Sequence, residues 1–280
     1  MTHMDESAAI IAIKSHMDDL LARVNSATKY PSIETYHRLE RGRLTDEVQV
    51  DFAGVGDIIA TEKIDGTNSR VLLFLNHEVL PWLFEKYLIG SREDLLHARG
   101  DLIYNPAQGI VEGVRPFAER VHSGSLWNNK IYVFFGEVYG GRGVTQASKF
   151  YSKDGSQVGF RLFDAIEFKV QDFRDLIEMP KEKIAAWRQS GGQPFVSEAR
   201  LQEFAEMFEV ELTPRFAAPP IPTEPHETHE WLKQVLAEGS RAVLGDEPGK
   251  GKPEGVVVRT SDRSKIAKIR FEDYERANRR

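Results

Sequence analysis

Thr61-Glu62-Lys63-Ile64-Asp65-Gly66-Thr67-Asn68 separates two β-forming runs, Ile58 to Lys63 and Arg70 to Leu75. Both runs are rich in β-branched and apolar residues, and Asp65-Gly66 between them is a strong turn signal. The spacing predicts two strands with Lys63 at the end of the first. A lysine so placed projects from a fixed scaffold, beside backbone that can approach a ligand closely. On this segment alone it also reads as a surface lysine before a hairpin.

Working outward, Phe84 to Gly90, Lys130 to Phe135 and Phe160 to Ile166 read as further strands, with a helix expected over 109–122. Helices follow near 171–189, 197–208 and 226–238, separated by Gly191-Gly192-Gln193-Pro194 and the proline-rich stretch Pro214 to Pro225. Gly255 to Arg259 and Lys265 to Arg270 return to strand, and a short charged helix follows Phe271. Near the N-terminus Ile10, Ile13, Met17, Leu20, Leu21 and Val24 recur at helical spacing over 8–24. That stripe either packs on the domain or offers a partner surface. There is no internal repeat. Strands at both ends with helices between them predict one α+β unit. It would consist of a helix and extension over 1–50 packed on a core over 51–280.

With 280 residues, 41% hydrophobic and 29% charged, the chain has the balance of a globular protein with a substantial core. No apolar run approaches the ~20 residues that span a bilayer, so no membrane partner is expected. The N-terminus has no secretory pattern. The absence of cysteine excludes disulfides, thiolate metal sites and thiol catalysis, and fits a cytoplasmic location. A net charge of −6 argues against nonspecific coating of nucleic acid. From Arg259 to Arg280 the balance turns basic, a weak footprint that a solvated terminal helix would share.

Lys63-x-Asp65-Gly66-x-Asn68 resembles the nucleophile motif of covalent nucleotidyltransferases, the superfamily of polynucleotide ligases and capping enzymes. Ser91-Arg92, Phe135-Gly136-Glu137, Phe163-Asp164, Glu254 to Arg259 and Lys268-Ile269-Arg270 resemble the remaining motifs, in family order. The set spans Glu62 to Arg270. Thr67-Asn68, Phe135 to Gly140 and Phe163-Asp164 make the resemblance closest to the phage RNA ligase 2 group.

That resemblance implies a nucleotidyltransferase (ATP-grasp-like) fold of two antiparallel sheets flanked by helices, with a nucleotide between them. It implies an ATP-dependent RNA ligase that joins 5′-phosphate and 3′-hydroxyl ends through a lysyl-AMP on Lys63. Relatives carry an OB or helical domain after the last motif. Here only Phe271 to Arg280 follow, so adenylylation is implied more directly than complete sealing. The N-terminal 50 residues or a protein partner would then supply grip on RNA. A DNA-joining or capping enzyme, and a non-catalytic module that binds nucleotide or RNA ends, are the alternatives.

Attack by Lys63 needs a neutral amine, whereas an unperturbed lysine titrates at about 10.4. Cations such as Lys268 and Arg270, or a bound metal, would favour loss of that proton and offset phosphate charge. Read without the resemblance, Lys268 is a solvated strand lysine. By resemblance Glu137 takes the ribose hydroxyls and Glu254 holds Mg²⁺ or Mn²⁺, for which hard oxygen ligands suit. Either could instead be a surface group at a strand end. Asp65 is either a second metal ligand, through water, or only the first residue of its turn. Phe163 would stack on adenine, or belong to the core; strict alternation cannot place Phe160, Leu162 and Phe163 on one side. Asn68 and Arg92 are read as phosphate or ribose contacts. The backbone at Glu62 would meet the adenine edge. Gly245 to Lys252 only superficially resembles a P-loop, lacking its glycine spacing and hydroxyl residue, and reads better as a mobile loop before Glu254. His226 and His229 do not form the zinc pattern His-Glu-x-x-His.

Overall fold

The computed structural model describes residues 3–74, 87–97, 109–126, 129–141, 151, 155–217, 219–245 and 253–277, with backbone alone at 3–13, 97 and 277. The P-loop-like stretch at 246–252, and the starts or ends of two expected strands at 75 and 84–86, lie outside these residues.

The architecture is α+β with three antiparallel sheets. β3 (Ile58–Lys63), β10 (Gly255–Thr260), β11 (Ile266–Arg270) and the two-residue β9 (Arg215–Phe216) form a four-stranded sheet in the order β11-β10-β3-β9. β4 (Thr67–Phe74), β5 (Tyr87–Ser91), β6 (Leu95–His97), β7 (Lys130–Gly140) and β8 (Val158–Lys169) form a five-stranded sheet in the order β6-β5-β4-β7-β8. A hairpin of β1 (His37–Glu40) and β2 (Arg43–Val48) stands apart. Its charged sequence gave no strand signal; Arg41 and Gly42 both take positive φ (50° and 78°), as tight hairpin turns of the I′ type require.

The turn at Asp65-Gly66 is not a hairpin. β3 pairs with β10 and β9, whereas β4 pairs with β5 and β7. The chain therefore leaves one sheet at Lys63 and enters the other at Thr67. Gly66 makes this crossing possible. A Cβ there would lie 2.5 Å from the Val138 carbonyl oxygen and 2.8 Å from Glu137 Cγ.

Both faces of the five-stranded sheet are covered, which explains the nearly unbroken apolar runs in β4 and β7. Val71, Leu73, Tyr132 and Phe134 pack under α2 (Ile110–Ser123) and α5 (Glu198–Met207). Leu72, Phe74, Val133 and Phe135 pack under α1 (His3–Thr28), α3 (Val170–Ile177) and α4 (Lys181–Gln189). α3 and α4 replace the single helix expected over 171–189. Pro180 lacks the amide hydrogen and forces its neighbour out of helical geometry, so the helix breaks there. The four-stranded sheet buries Ala60, Val256, Val258, Ala267 and Ile269 against α6 (Pro225–Val235) and α7 (Phe271–Ala277). Its other face is turned toward the cavity described below.

α1 ends in the core, with no basic residue in its last turn. Its terminal carbonyls are capped by side chains from elsewhere. Arg70 donates to Asn25 O (3.2 Å), Arg188 to Ser26 O, and Gln193 to Ala27 O (3.0 Å). Such orphan carbonyls must find donors, and cations suit the negative end of the helix. Substituting Arg188→Met leaves the Ser26 carbonyl buried and unpaired. The expected cost is about 1–3 kcal/mol, read as a lower urea midpoint with an unchanged slope.

Candidate active site

A cavity of about 370 Å³ lies between the two large sheets. From the four-stranded sheet, Thr61, Lys63, Val257, Arg259, Ile266 and Lys268 line it; Asn68, Glu137 and Phe163 come from the other sheet. Period-2 alternation explains the first set, because the partner residues Ala60, Val256, Val258 and Ala267 face the opposite core. The register aligns Thr61 with Val257 and Val257 with Lys268, so their side chains form one row across three strands. In the next row Lys63 lies beside Gly255, and Gly255 beside Arg270.

Lys63 Nζ forms an ion pair with Glu254 Oε2. Backbone contacts fix both ends of that pair: Glu254 N donates to Lys63 O (3.2 Å) and Phe271 N to Glu254 O (3.1 Å). Gly255 allows the strands to close here, since a Cβ would lie 2.1 Å from Ile269 O. Arg270 Nη1 stands 3.7 Å from Glu254 Oε1, but its main partners are Asp273 (2.8 and 2.9 Å) and Glu272 (2.6 Å). Neither Arg270 nor Glu254 lines the cavity itself. Lys268 makes no ion pair among the described residues. Burial, then the charges of Arg270 and Lys63, hold its ammonium below the ordinary lysine range.

Glu137 faces Asn68 across β7 and β4. It keeps some exposure to the cavity, yet the protein around its carboxyl pushes its pKa up to about 8, Lys63 opposing and Glu254 and Asp65 reinforcing that shift. Asn68 Oδ1 is buried with no hydrogen-bond partner among the described residues, an acceptor left over beside the cavity. Arg92 lines the rim with its side chain 60% exposed, 3.9 Å from Glu93. Asp65 is not among the lining residues; its amide donates to Tyr151 OH (2.7 Å). Glu62 lines the cavity, but its carboxylate accepts hydrogen bonds from Ser240 Oγ and from Arg241 N (2.9 Å), tying β3 to the segment after α6.

β8 is irregular at Phe163: Phe135 pairs with Asp164 and Gly136 with Leu162, leaving Phe163 as the extra residue of a bulge. Alternation sets Phe163 opposite Phe160 and Leu162, and the bulge puts it on the same side as Ile166 and Phe168, its ring 5.1 Å from Tyr30 and 6.5 Å from Phe135.

Sequence reasoning gave no role to Asp164 or Arg259, although both stand inside the motifs. Fully buried Asp164 accepts from Tyr30 OH (2.9 Å) and Arg263 Nε, with Arg259 Nη1 at 3.5 Å; Arg259 also pairs with Glu198. An arginine ending a valine strand, and an aspartate in an apolar strand, were the available signals: buried charges need partners. Tyr30, which lines the cavity from the segment after α1, had none. Within the basic run from Arg259, the described arginines Arg259, Arg263, Arg270 and Arg276 all pair with carboxylates. His229 is buried, stacked on Tyr274 at 5.9 Å. No cluster of three or more His, Cys, Asp or Glu occurs among the described residues, nor any helix long and apolar enough to cross a membrane.

The chain matches the family model described as RNA ligase over residues 56–270. It is similar in structure to the Naegleria gruberi RNA ligase with PPi, at TM-score 0.51 and 13% identity, covering 90% of this chain and 58% of that one. A mutant of the same ligase with AMP and Mn matches at TM-score 0.48 and 14% identity, over 90% of this chain and 65% of that one. No curated protein matches the chain significantly by sequence. Two antiparallel sheets enclosing this cavity make the fold that of a nucleotidyltransferase. The chain belongs to the RNA ligase family, and it spans little more than half the length of the ligase it resembles.

The Glu137 environment carries a pH signature. Its folded pKa, about 8, exceeds the ordinary value of 4.5. The unfolded chain therefore gives up this proton first, and the group's contribution to stability falls as pH rises between those values. Glu137→Gln mimics the neutral acid. Without nucleotide, the stability of the unsubstituted protein relative to Glu137→Gln should decline from pH 5 to 8 in urea titrations; parallel curves would contradict this.

Proposed function

We propose that the protein is an ATP-dependent RNA ligase that works through a lysyl-AMP on Lys63. The observation that carries this reading is the placement of Lys63 where the chain crosses between sheets, paired with Glu254 and one row away from Lys268. ATP would enter the cavity with its base against Phe163 and its ribose hydroxyls at Glu137. Arg92, Asn68 and Lys268 would meet the phosphates, where cations offset charge that builds up during transfer.

Lys63 must lose a proton to attack, and Glu254 is the acceptor in contact with it. The amine then forms a P–N bond to the α-phosphorus as pyrophosphate leaves. A 5′-phosphate oxygen next takes the AMP, breaking the P–N bond. Finally a 3′-hydroxyl attacks that activated phosphate, forming the phosphodiester and releasing AMP. Glu254 and Asp65, whose charges both reach Glu137, would offer the hard oxygen donors that Mg²⁺ or Mn²⁺ prefers, and the remaining ligands would come from phosphate and water. Such an ion would supply further neutralisation of phosphate charge.

An end-joining assay tests this. With ATP and Mg²⁺ or Mn²⁺, the protein should join a 5′-phosphate RNA to a 3′-hydroxyl acceptor. Lys63→Ala should lose that activity by at least a thousandfold, yet still seal a pre-adenylylated 5′ end, because the last step needs no nucleophilic lysine. No product from either substrate would count against the proposal.

A further inference from the structure

A second cavity, of about 380 Å³, opens next to the first and shares Pro31, Ile33 and Ile266 with it. We propose that it seats a second nucleotide, one supplied by the polynucleotide strand, beside the adenylate. This inference rests on the ligase reading and extends it to where the strand lies.

Two buried side chains in its wall keep unused hydrogen-bonding atoms. Arg188 and Gln193, each more than nine-tenths buried, spend their other groups on capping α1. That leaves Arg188 Nε, a donor, and Gln193 Oε1, an acceptor, with no partner among the described residues. Buried polar atoms are rarely left so, and a donor with an acceptor is what the edge of a nucleobase can satisfy together. The same wall carries Arg263, whose guanidinium lies 3.5 Å from the centre of the Phe195 ring. Guanidinium planes are platforms on which unpaired bases stack. Phe195 covers one face of that guanidinium and Asp164 accepts from its Nε at the edge, so its plane is fixed to the same buried carboxylate that neighbours Phe163.

The chemistry of a nucleotide is shared by a strand and by free mononucleotide, so the test has two arms. The chain contains no cysteine, and one introduced thiol is therefore unique. Ser32 and Gln189 are exposed at the mouth of this cavity. Ser32→Cys and Gln189→Cys would be compared with Met207→Cys, which is exposed on α5 and lines neither cavity.

Disulfide trapping of a thiol-tethered oligoribonucleotide should be at least tenfold faster at residues 32 and 189 than at 207. Unmodified oligoribonucleotide should suppress it, while free AMP at the same nucleotide concentration should not. Suppression by AMP alone would overturn the assignment to the strand, and rates equal to that of the 207 variant would overturn the site. Adenylylation by ATP is read in the same samples. Its failure in the unsubstituted protein would count against the ligase reading, whereas normal adenylylation without selective trapping would count against the second site alone.

Discussion

The structure depends on one crossing of the chain. Between Lys63 and Thr67 the backbone passes from the four-stranded to the five-stranded sheet, and it does so in three residues. So short a link holds the two sheets close together, and it can be that short only because Gly66 lies against Val138 and Glu137 with no side chain between. The consequence is chemical as well as architectural. The last residue of β3 and the first residues of β4 stand on opposite walls of one cavity, so a lysine at the end of β3 meets groups from both sheets.

A second constraint holds the walls in place. Asp164 on the five-stranded sheet gathers Arg263 and Arg259 from the β10–β11 ladder and Tyr30 from the segment after α1. Taking these charges out of water is costly unless each is paired and hydrogen-bonded, and here the pairing joins three parts of the chain. Phe163 sits next to Asp164 on the bulge, with its ring against Tyr30. The position of the aromatic ring in the cavity and the closure of the sheets are thus set by one buried network.

Much of this was legible in the sequence, for reasons that particular residues make clear. β3, β10 and β11 were legible from their β-branched and apolar residues, whereas the row of Thr61, Val257 and Lys268 depends on register, which the run Val256-Val257-Val258 does not disclose. The resemblance of ordered motifs extended the reading to Glu137 and Glu254. What escaped has physical causes too. Asp65-Gly66 signals a turn but does not say whether the strands on either side pair. The bulge at Phe163 is a pairing property, invisible in one strand alone. The β1–β2 hairpin turns on Arg41 in a left-handed conformation, which sequence favours only for glycine, asparagine or aspartate. Tyr30 enters the site through tertiary packing, and the caps of α1 come from residues 45 to 166 positions away.

The central claim is that the crossing positions Lys63 to take up a nucleotide, and peptide mapping after incubation with ATP and Mg²⁺ or Mn²⁺ tests it most directly. The expected result is one AMP per chain, attached to Lys63 and released by added pyrophosphate. An unmodified Lys63 under both metals, or AMP attached to a different lysine, would contradict it.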